Sequence, residues 1–140
     1  MSIISALKTY LTTYDQLVSG APVLVDFLGK KPTEYSIVPY PGPRFLERYI
    51  DGGYRREYPF MIQSMFSTAD EAERIENSGF FEALGDWLDA QTLANNLPTL
   101  GTKQTATEIE AVNWAFIYEQ GQSDTGVYQI QCKLTYEQAP

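Results

Sequence analysis

Two periodicities alternate along the chain. From residue 3 to 18, Ile3, Ile4, Leu7, Tyr10, Leu11, Tyr14, Leu17 and Val18 recur at spacings of three and four, with Lys8, Thr12, Thr13, Asp15 and Gln16 between them. This spacing predicts an amphipathic helix with Ser2 as its N-cap. Ser19-Gly20-Ala21-Pro22 stops it, because Gly suits the position after a helix and Pro cannot continue one. The short β-branched run Val23-Leu24-Val25-Asp26-Phe27-Leu28 predicts a strand. Pro32, Pro39, Pro41 and Pro43 then bracket the piece 34–38, whose strand must lie at a sheet edge or end at its first proline, since Pro donates no ladder hydrogen bond. Residues 44–53, RFLERYIDGG, are read as one helical turn released by Gly52-Gly53.

The period returns to two between Tyr54 and Phe66. Tyr58, Phe60, Ile62 and Phe66 share one parity, while Glu57, Met61, Gln63 and Met65 share the other, as in a strand with one well-buried face. Thr68 and Glu71 stand at capping-box spacing. A helix then runs to about Gln91, with Ala72, Ile75, Gly79, Phe80, Ala83, Leu84, Trp87 and Leu88 along one side and acids along the other. Asn95-Asn96-Leu97-Pro98 ends it, and a polar linker leads to Ala106. Val112, Trp114, Phe116 and Tyr118 alternate with Ala111, Asn113, Ala115 and Ile117, Gly121 to Gly126 makes a turn, and Tyr128, Ile130, Cys132, Leu134 and Tyr136 alternate strictly after it. A hairpin of two long antiparallel strands is the economical reading. The order predicts a single α+β domain over residues 1–140: an antiparallel β-sheet of about four strands with two main helices packed on one face.

Length agrees with this, since a chain of 140 residues buries roughly 68–70% of its unfolded surface. Charge narrows the partners. Eighteen acidic against ten basic residues give a net charge of −8, which repels phosphate backbones and anionic membranes, so no sequence-specific nucleic acid and no membrane is expected as a partner. The first residues lack a leader-like apolar core and cleavage site, and no run approaches the ~18 apolar residues of a membrane span, so a cytoplasmic product is expected. Histidine is absent and Cys132 is the sole cysteine, which removes the commonest general base, the usual partner of a nucleophile and the commonest zinc ligand. No metal and no cofactor is expected, and Gly52-Gly53 lacks the context of a phosphate-binding loop.

Candidate chemistry is correspondingly sparse. Cys132 falls on the inward parity of its strand and reads as a small core hydrophobe. Asp70, Glu71, Glu73 and Glu76 are hard oxygen ligands for a divalent cation or, without a calcium loop, a solvated helix face. Glu108 and Glu110 share a strand face, an arrangement that raises one carboxyl pKa or simply decorates a strand end. Arg44, Arg48, Arg55 and Arg56 lie in a stretch whose only acids are Glu47 and Asp51, a local reversal of charge against an acidic background. The functional reading is contact with an acidic partner or passing DNA; the alternative is a solvated loop. Because the helix over 70–89 is acidic, two copies would present complementary patches to each other.

Several stretches also carry a resemblance. Val25-Asp26-Phe27-Leu28-Gly29, Pro32-Thr33-Glu34-Tyr35-Ser36-Ile37, Arg48-Tyr49-Ile50-Asp51-Gly52, Ile75-Glu76-Asn77-Ser78-Gly79-Phe80 with Asp86-Trp87-Leu88, and Tyr128-Gln129-Ile130-Gln131-Cys132 look like the minor capsid protein family of tailed phages and prophages of Gram-positive bacteria. The family is similar in size and α+β pattern to siphophage tail-terminator proteins. The resemblance implies a tail-terminator-like fold and a non-enzymatic structural role, capping the tail tube and joining it to the head. It implies a ring of the protein itself, six subunits by the terminator relatives, with the tail tube protein and head-tail connector proteins as partners. The protein would be assembled in the bacterial host cytoplasm and reside in the virion. Some relatives carry a chloramphenicol-resistance label, but the acetyltransferase route needs a histidine base that this chain lacks. The proline-flanked segment would form a rigid arm meeting an adjacent subunit through Tyr35 and Ile37. The alternatives are a head-completion protein on the capsid side of the joint and, from another class, a carboxylate-dependent hydrolase, which a deep pocket holding two carboxylates would favour.

Overall fold

The computed structural model describes residues 2–14, 23–25, 34–40, 46–67, 71–114, 116–120 and 125–140. Helix α1 (Ile3–Leu11) opens on Ser2, whose backbone is extended and whose Oγ accepts the Ser5 N–H at 3.2 Å. Such a cap contributes about 1 kcal/mol. Ala6, Leu7, Tyr10 and Leu11 form its buried stripe. The helix was expected to run to Val18, yet it ends at Leu11. The hydroxyls of Thr12 and Thr13 donate to the carbonyls of Thr9 and Tyr10, each at 2.6 Å, and Thr13 and Tyr14 make three-residue backbone bonds that tighten the turn. Consecutive threonines thus satisfy the last carbonyls themselves, in competition with further helix. Residues 15–18 lie outside the described ones.

The strands are β1 (Val23–Val25), β2 (Glu34–Pro39), β3 (Glu47–Arg48), β4 (Tyr54–Ser67), β5 (Gln104–Ala111), β6 (Phe116–Gln120) and β7 (Thr125–Gln138), with helix α2 (Glu71–Leu93) after β4. They make one sheet in the order β1-β2-β4-β7-β5, with β3 also on β4 and β6 also on β7. Only β1 and β2 pair in parallel. Because β7 occupies one whole side of β4, β3 must extend the row of β2; by the same logic β6 extends the row of β5. The sheet therefore has five rows where about four were expected. β5, which begins inside the stretch read as a polar linker, lengthens the expected hairpin row that β6 continues.

The expected parities of β4 and β7 hold. Phe60 lies opposite Cys132 and Ile62 opposite Ile130, and all four are buried together with Tyr128 and Leu134. β2 adds Tyr35 and Ile37, and β5 adds Ile109. The strand β2 does end at its first proline, Pro39, although it lies inside the sheet between β1 and β4.

Both helices cover this apolar face. The contacting stripe of α2 is Phe81, Leu84 and Leu88, with Phe80 and Trp87 at its margin. Gly79 and Ala83, expected on the buried side, are exposed. The stripe is turned by about one residue because Phe81 stacks on Tyr128, with ring centroids 6.1 Å apart, while Phe80 reaches Tyr14 and Tyr35. Tyr14 and Tyr10 meet Trp87 at 4.8 and 5.4 Å, joining α1 to α2. At the far end Asn95 takes the left-handed conformation (φ 56°) and Asn96 N–H returns to the Gln91 carbonyl, a common helix stop. Thr92 Oγ1 donates to the Ile109 carbonyl at 2.6 Å and accepts the Ile109 N–H at 3.0 Å. One side chain thereby blocks the free edge of β5, where an unpaired strand would recruit another chain.

Two expected elements differ. The proposed helical turn over 44–53 is a hairpin in its described part, 46–53: Glu47 pairs with Arg55 and Arg48 with Tyr54. Tyr49 N–H bonds the Gly53 carbonyl at 2.8 Å, and Gly52 at φ +95° supplies a backbone angle that a side chain resists. The second difference is a break in the expected strand through Val112, Trp114 and Tyr118. Asn113 Oδ1 accepts the Gln131 N–H at 3.2 Å, and its amide donates to Gln131 Oε1 at 2.7 Å. A side chain takes over a ladder bond that backbone would otherwise make, so β5 stops at Ala111 and β6 resumes at Phe116. No helix among the described residues is long and apolar enough to cross a membrane.

Candidate interaction surfaces

Each broken row exposes apolar side chains. Past the first break, the β3–β4 hairpin over 46–53 carries Leu46, Tyr49 and Ile50 into solvent, with Ile50 fully exposed at the tip. Arg48 and Arg55 flank them. The pleat separates the arginines. Arg55 lies on the open face, 3.5 Å from Glu47, whereas Arg56 points to the opposite face with its guanidinium carbon 4.3 Å above the Tyr54 ring. Arg44 lies outside the described residues. Tyr49 OH donates to the Glu137 carboxylate at 3.0 Å, which raises the Tyr49 pKa and ties the hairpin to the end of β7. Asp51 stays exposed while its Oδ1 accepts the Gly53 N–H at 2.9 Å.

Tyr35 and Ile37 do not belong to this surface. With exposures of 2% and 0% they face the helices from inside the core, so the role expected of them as subunit contacts is withdrawn. Their parity on β2 matches that of Ile62 and Ser64 on β4, and it is this inward register that hides them.

The second break leaves Trp114 73% and Val112 51% exposed. Beside them, between α2 and the end of β5, lies a groove of about 310 Å³. Phe81, Ala111 and Ile130 form its apolar floor, and Val112 and Trp114 one wall. Glu82, Asp86 and Asp89 line the other. These three acids recur at four and three residues, so they share one side of α2. No ion pair neutralises them among the described residues. Partial burial, and then the nearby Glu110 and Asp86 charges, push the Asp89 carboxyl above its usual range. A second hollow, about 290 Å³ between α1 and residues 96–99, has no charged side chain in its lining.

Other candidates are quieter. Cys132 is wholly buried, and burial pushes its thiol far above the reactive range. On the open face Lys133 bridges Glu57 at 3.5 Å and Glu110 at 3.1 Å, so Glu110 is held in a charge-compensated row across β4, β7 and β5. The Glu110 bond is the main reason the Lys133 pKa is raised. Among the described residues no three His, Cys, Asp or Glu side chains gather as a metal site. Asp70 and the side chains of Glu71, Glu73 and Glu76 lie outside the described ones.

The groove was not anticipated from sequence. Its one local signal was Asn113, a residue that bonds backbone readily, set within an otherwise regular alternation. Neither protein-family models nor curated proteins match this chain.

Proposed function

We propose that this chain is a structural virion-assembly protein of a tailed phage or prophage, a tail terminator that caps the tail tube and joins it to the head as a ring of identical subunits. The observation carrying this reading is the separation of two exposed surfaces: a hairpin with an apolar tip of Leu46, Tyr49 and Ile50, and an acidic groove beside an exposed tryptophan. Two different patches on one molecule suit head-to-tail contacts, which close into rings when the rotation allows. The sequence resemblance to minor capsid proteins supplies the setting, with the tail tube and head-tail connector proteins as partners. In this reading the protein is not an enzyme and needs no cofactor. The same logic serves a head-completion protein on the capsid side, and locating the protein within virions separates the two.

Purified virions labelled with antibody against this chain, viewed by electron microscopy, should show it at the head-tail joint. Absence from virions overturns the reading.

A second reading rests on the groove itself, where Asp86 and Asp89 stand three residues apart and the Asp89 carboxyl is raised. A carboxylate-dependent hydrolase would place its acid–base pair there. Turnover of ester or glycoside substrates that disappears in Asp86→Asn and Asp89→Asn would favour this reading over assembly.

A further inference from the structure

We propose that the groove between α2 and the β5–β6 break receives an arginine-bearing extended segment of another protein, with the arginine stem on Phe81, Ala111 and Ile130 and its guanidinium between Trp114 and the carboxylates of Asp86 and Asp89. The site does not depend on the virion role proposed above.

Charge sets the first requirement. Glu82, Asp86 and Asp89 follow one side of α2 over about 10.5 Å, and among the described residues no ion pair engages them. Partial burial, and then the Glu110 and Asp86 charges, hold the Asp89 carboxyl above its usual range, so a cation arriving there relieves a local excess of negative charge. The apolar floor then selects among cations. A hydrated metal ion has nothing to set against Phe81, Ala111 and Ile130, whereas an arginine covers them with its methylene stem and keeps its charge at the rim. The exposed Trp114 offers an indole face on which a planar guanidinium stacks. At about 310 Å³ the groove stands at the lower end of ligand-pocket sizes, room for a side chain and not for a bulky cofactor.

Two features call for a chain and not a free amine. Leu93, 89% exposed, continues the acidic stripe by one turn, and Val112 is half exposed beside Trp114, so apolar surface extends past the groove itself. The edge of β5 supplies the second. Val112 N–H bonds the Gln131 carbonyl, so ladder alternation turns the N–H and C=O of Ala111 and of Ile109 away from β7. Thr92 takes both groups at Ile109. At Ala111, beside the groove, the next outward pair is placed to meet the backbone of an extended segment. This chain's own Arg55, Lys103 and Lys133 are engaged within the molecule, and its 46–53 hairpin sets Glu47 and Asp51 against Arg48.

Nuclear magnetic resonance of the ¹⁵N-labelled chain tests this with a short capped peptide of valine and glycine carrying one central arginine. Saturable shifts are expected at the Trp114 indole N–H and at the amides of Gly85 and Ala111. Replacing the arginine by citrulline, which keeps the shape and removes the charge, should weaken binding by roughly tenfold or more, as should Asp86→Asn with Asp89→Asn in the chain. Trp114→Ala, or lysine in place of the peptide's arginine, should weaken it several-fold. Salt at ~0.5 M should do likewise. Glu82, Asp86 and Asp89 are exposed, so the remaining amide signals of the variants should keep their wild-type positions and report that they are folded. No saturable shift, or shifts that survive the citrulline exchange, overturns the proposal. It is overturned equally if N-acetylarginine amide binds as tightly as the peptide, which would make the ligand a free amine, or if calcium chloride reproduces the shifts at lower concentration, which would make this a metal site. Shifts that grow with protein concentration alone would give the groove to a second copy and overturn it too.

Discussion

The central strands and the outer rows of this sheet are built on different rules. β4 and β7 each run 14 residues and pair without interruption from Tyr54–Gln138 to Ser67–Thr125. Their inward parity holds Phe60, Ile62, Ile130, Cys132 and Leu134, every one nearly excluded from water. The flanking rows are each broken once, between β2 and β3 and between β5 and β6. Trp114 emerges at the second break, beside the acids of α2, and Ile50 emerges at the β3–β4 turn that closes the first row. The unbroken pair supplies cohesion, and the broken rows supply surfaces. An interruption in a central strand would orphan bonds on two sides, whereas in an outer row it orphans them on one, so function can be placed there at lower cost.

This contrast makes graded predictions. The largest effect belongs to the central strands: Ile130→Asp buries an unpaired charge and should cost roughly 3 kcal/mol or more, while Gln131→Asp, on the open face, should cost under about 1 kcal/mol. Thermal melts of the two variants decide it, and a worse Gln131→Asp would invert the assignment of faces. At the β3–β4 turn, Gly53→Ala places a methyl 2.8 Å from the Gln138 carbonyl oxygen, a backbone atom that cannot step aside. A loss of roughly 1–3 kcal/mol is expected, together with freer hydrogen exchange at Tyr49 and Gly53.

Alkali provides a probe of the core. The Cys132 thiol is raised by burial, so the folded chain keeps its proton at a pH where the unfolded chain has lost it. The stability this provides is whole below the unfolded value of roughly 8.5 and is lost as pH rises above it, by about 1.4 kcal/mol per pH unit. Tyr10, raised to about 12 by burial, adds a further decline above roughly pH 10. Denaturant titrations from pH 8 to 11 should show this fall, and Cys132→Ala should flatten its first part despite lowering stability at neutral pH. The smallest effect is a gain. Gly79 sits inside α2 with nothing within 4 Å of where a methyl would stand, so Gly79→Ala should stabilise the protein by about 0.5–1 kcal/mol. A loss would mean that the exposed side of α2 is misplaced.

What could be read along the chain was whatever depends on neighbours in sequence. Strict alternation in β4 and β7 stated which residues face inward, because a strand turns its side chains by a period of two and a slip by one residue would expose the whole set. Ser2 as a cap and Pro39 as a strand end were equally local matters of donors and acceptors. The α+β class followed from the succession of periods. Tertiary structure decided the rest. Whether Tyr35 and Ile37 were buried depended on β2 lying between β1 and β4, which no property of their own segment specifies. The helix α2 was turned by one residue because Phe81 found Tyr128, and the strand through Val112 broke because Asn113 found Gln131, partners nearly fifty and eighteen residues away in the chain. The groove is the clearest case: its floor comes from β5, β7 and α2 and its acids from one side of that helix, so it exists only once the helix is docked against the sheet. Local patterns are set by covalent geometry and solvent preference acting on a few residues at a time, whereas a surface is assembled from segments whose meeting depends on how every other element packs.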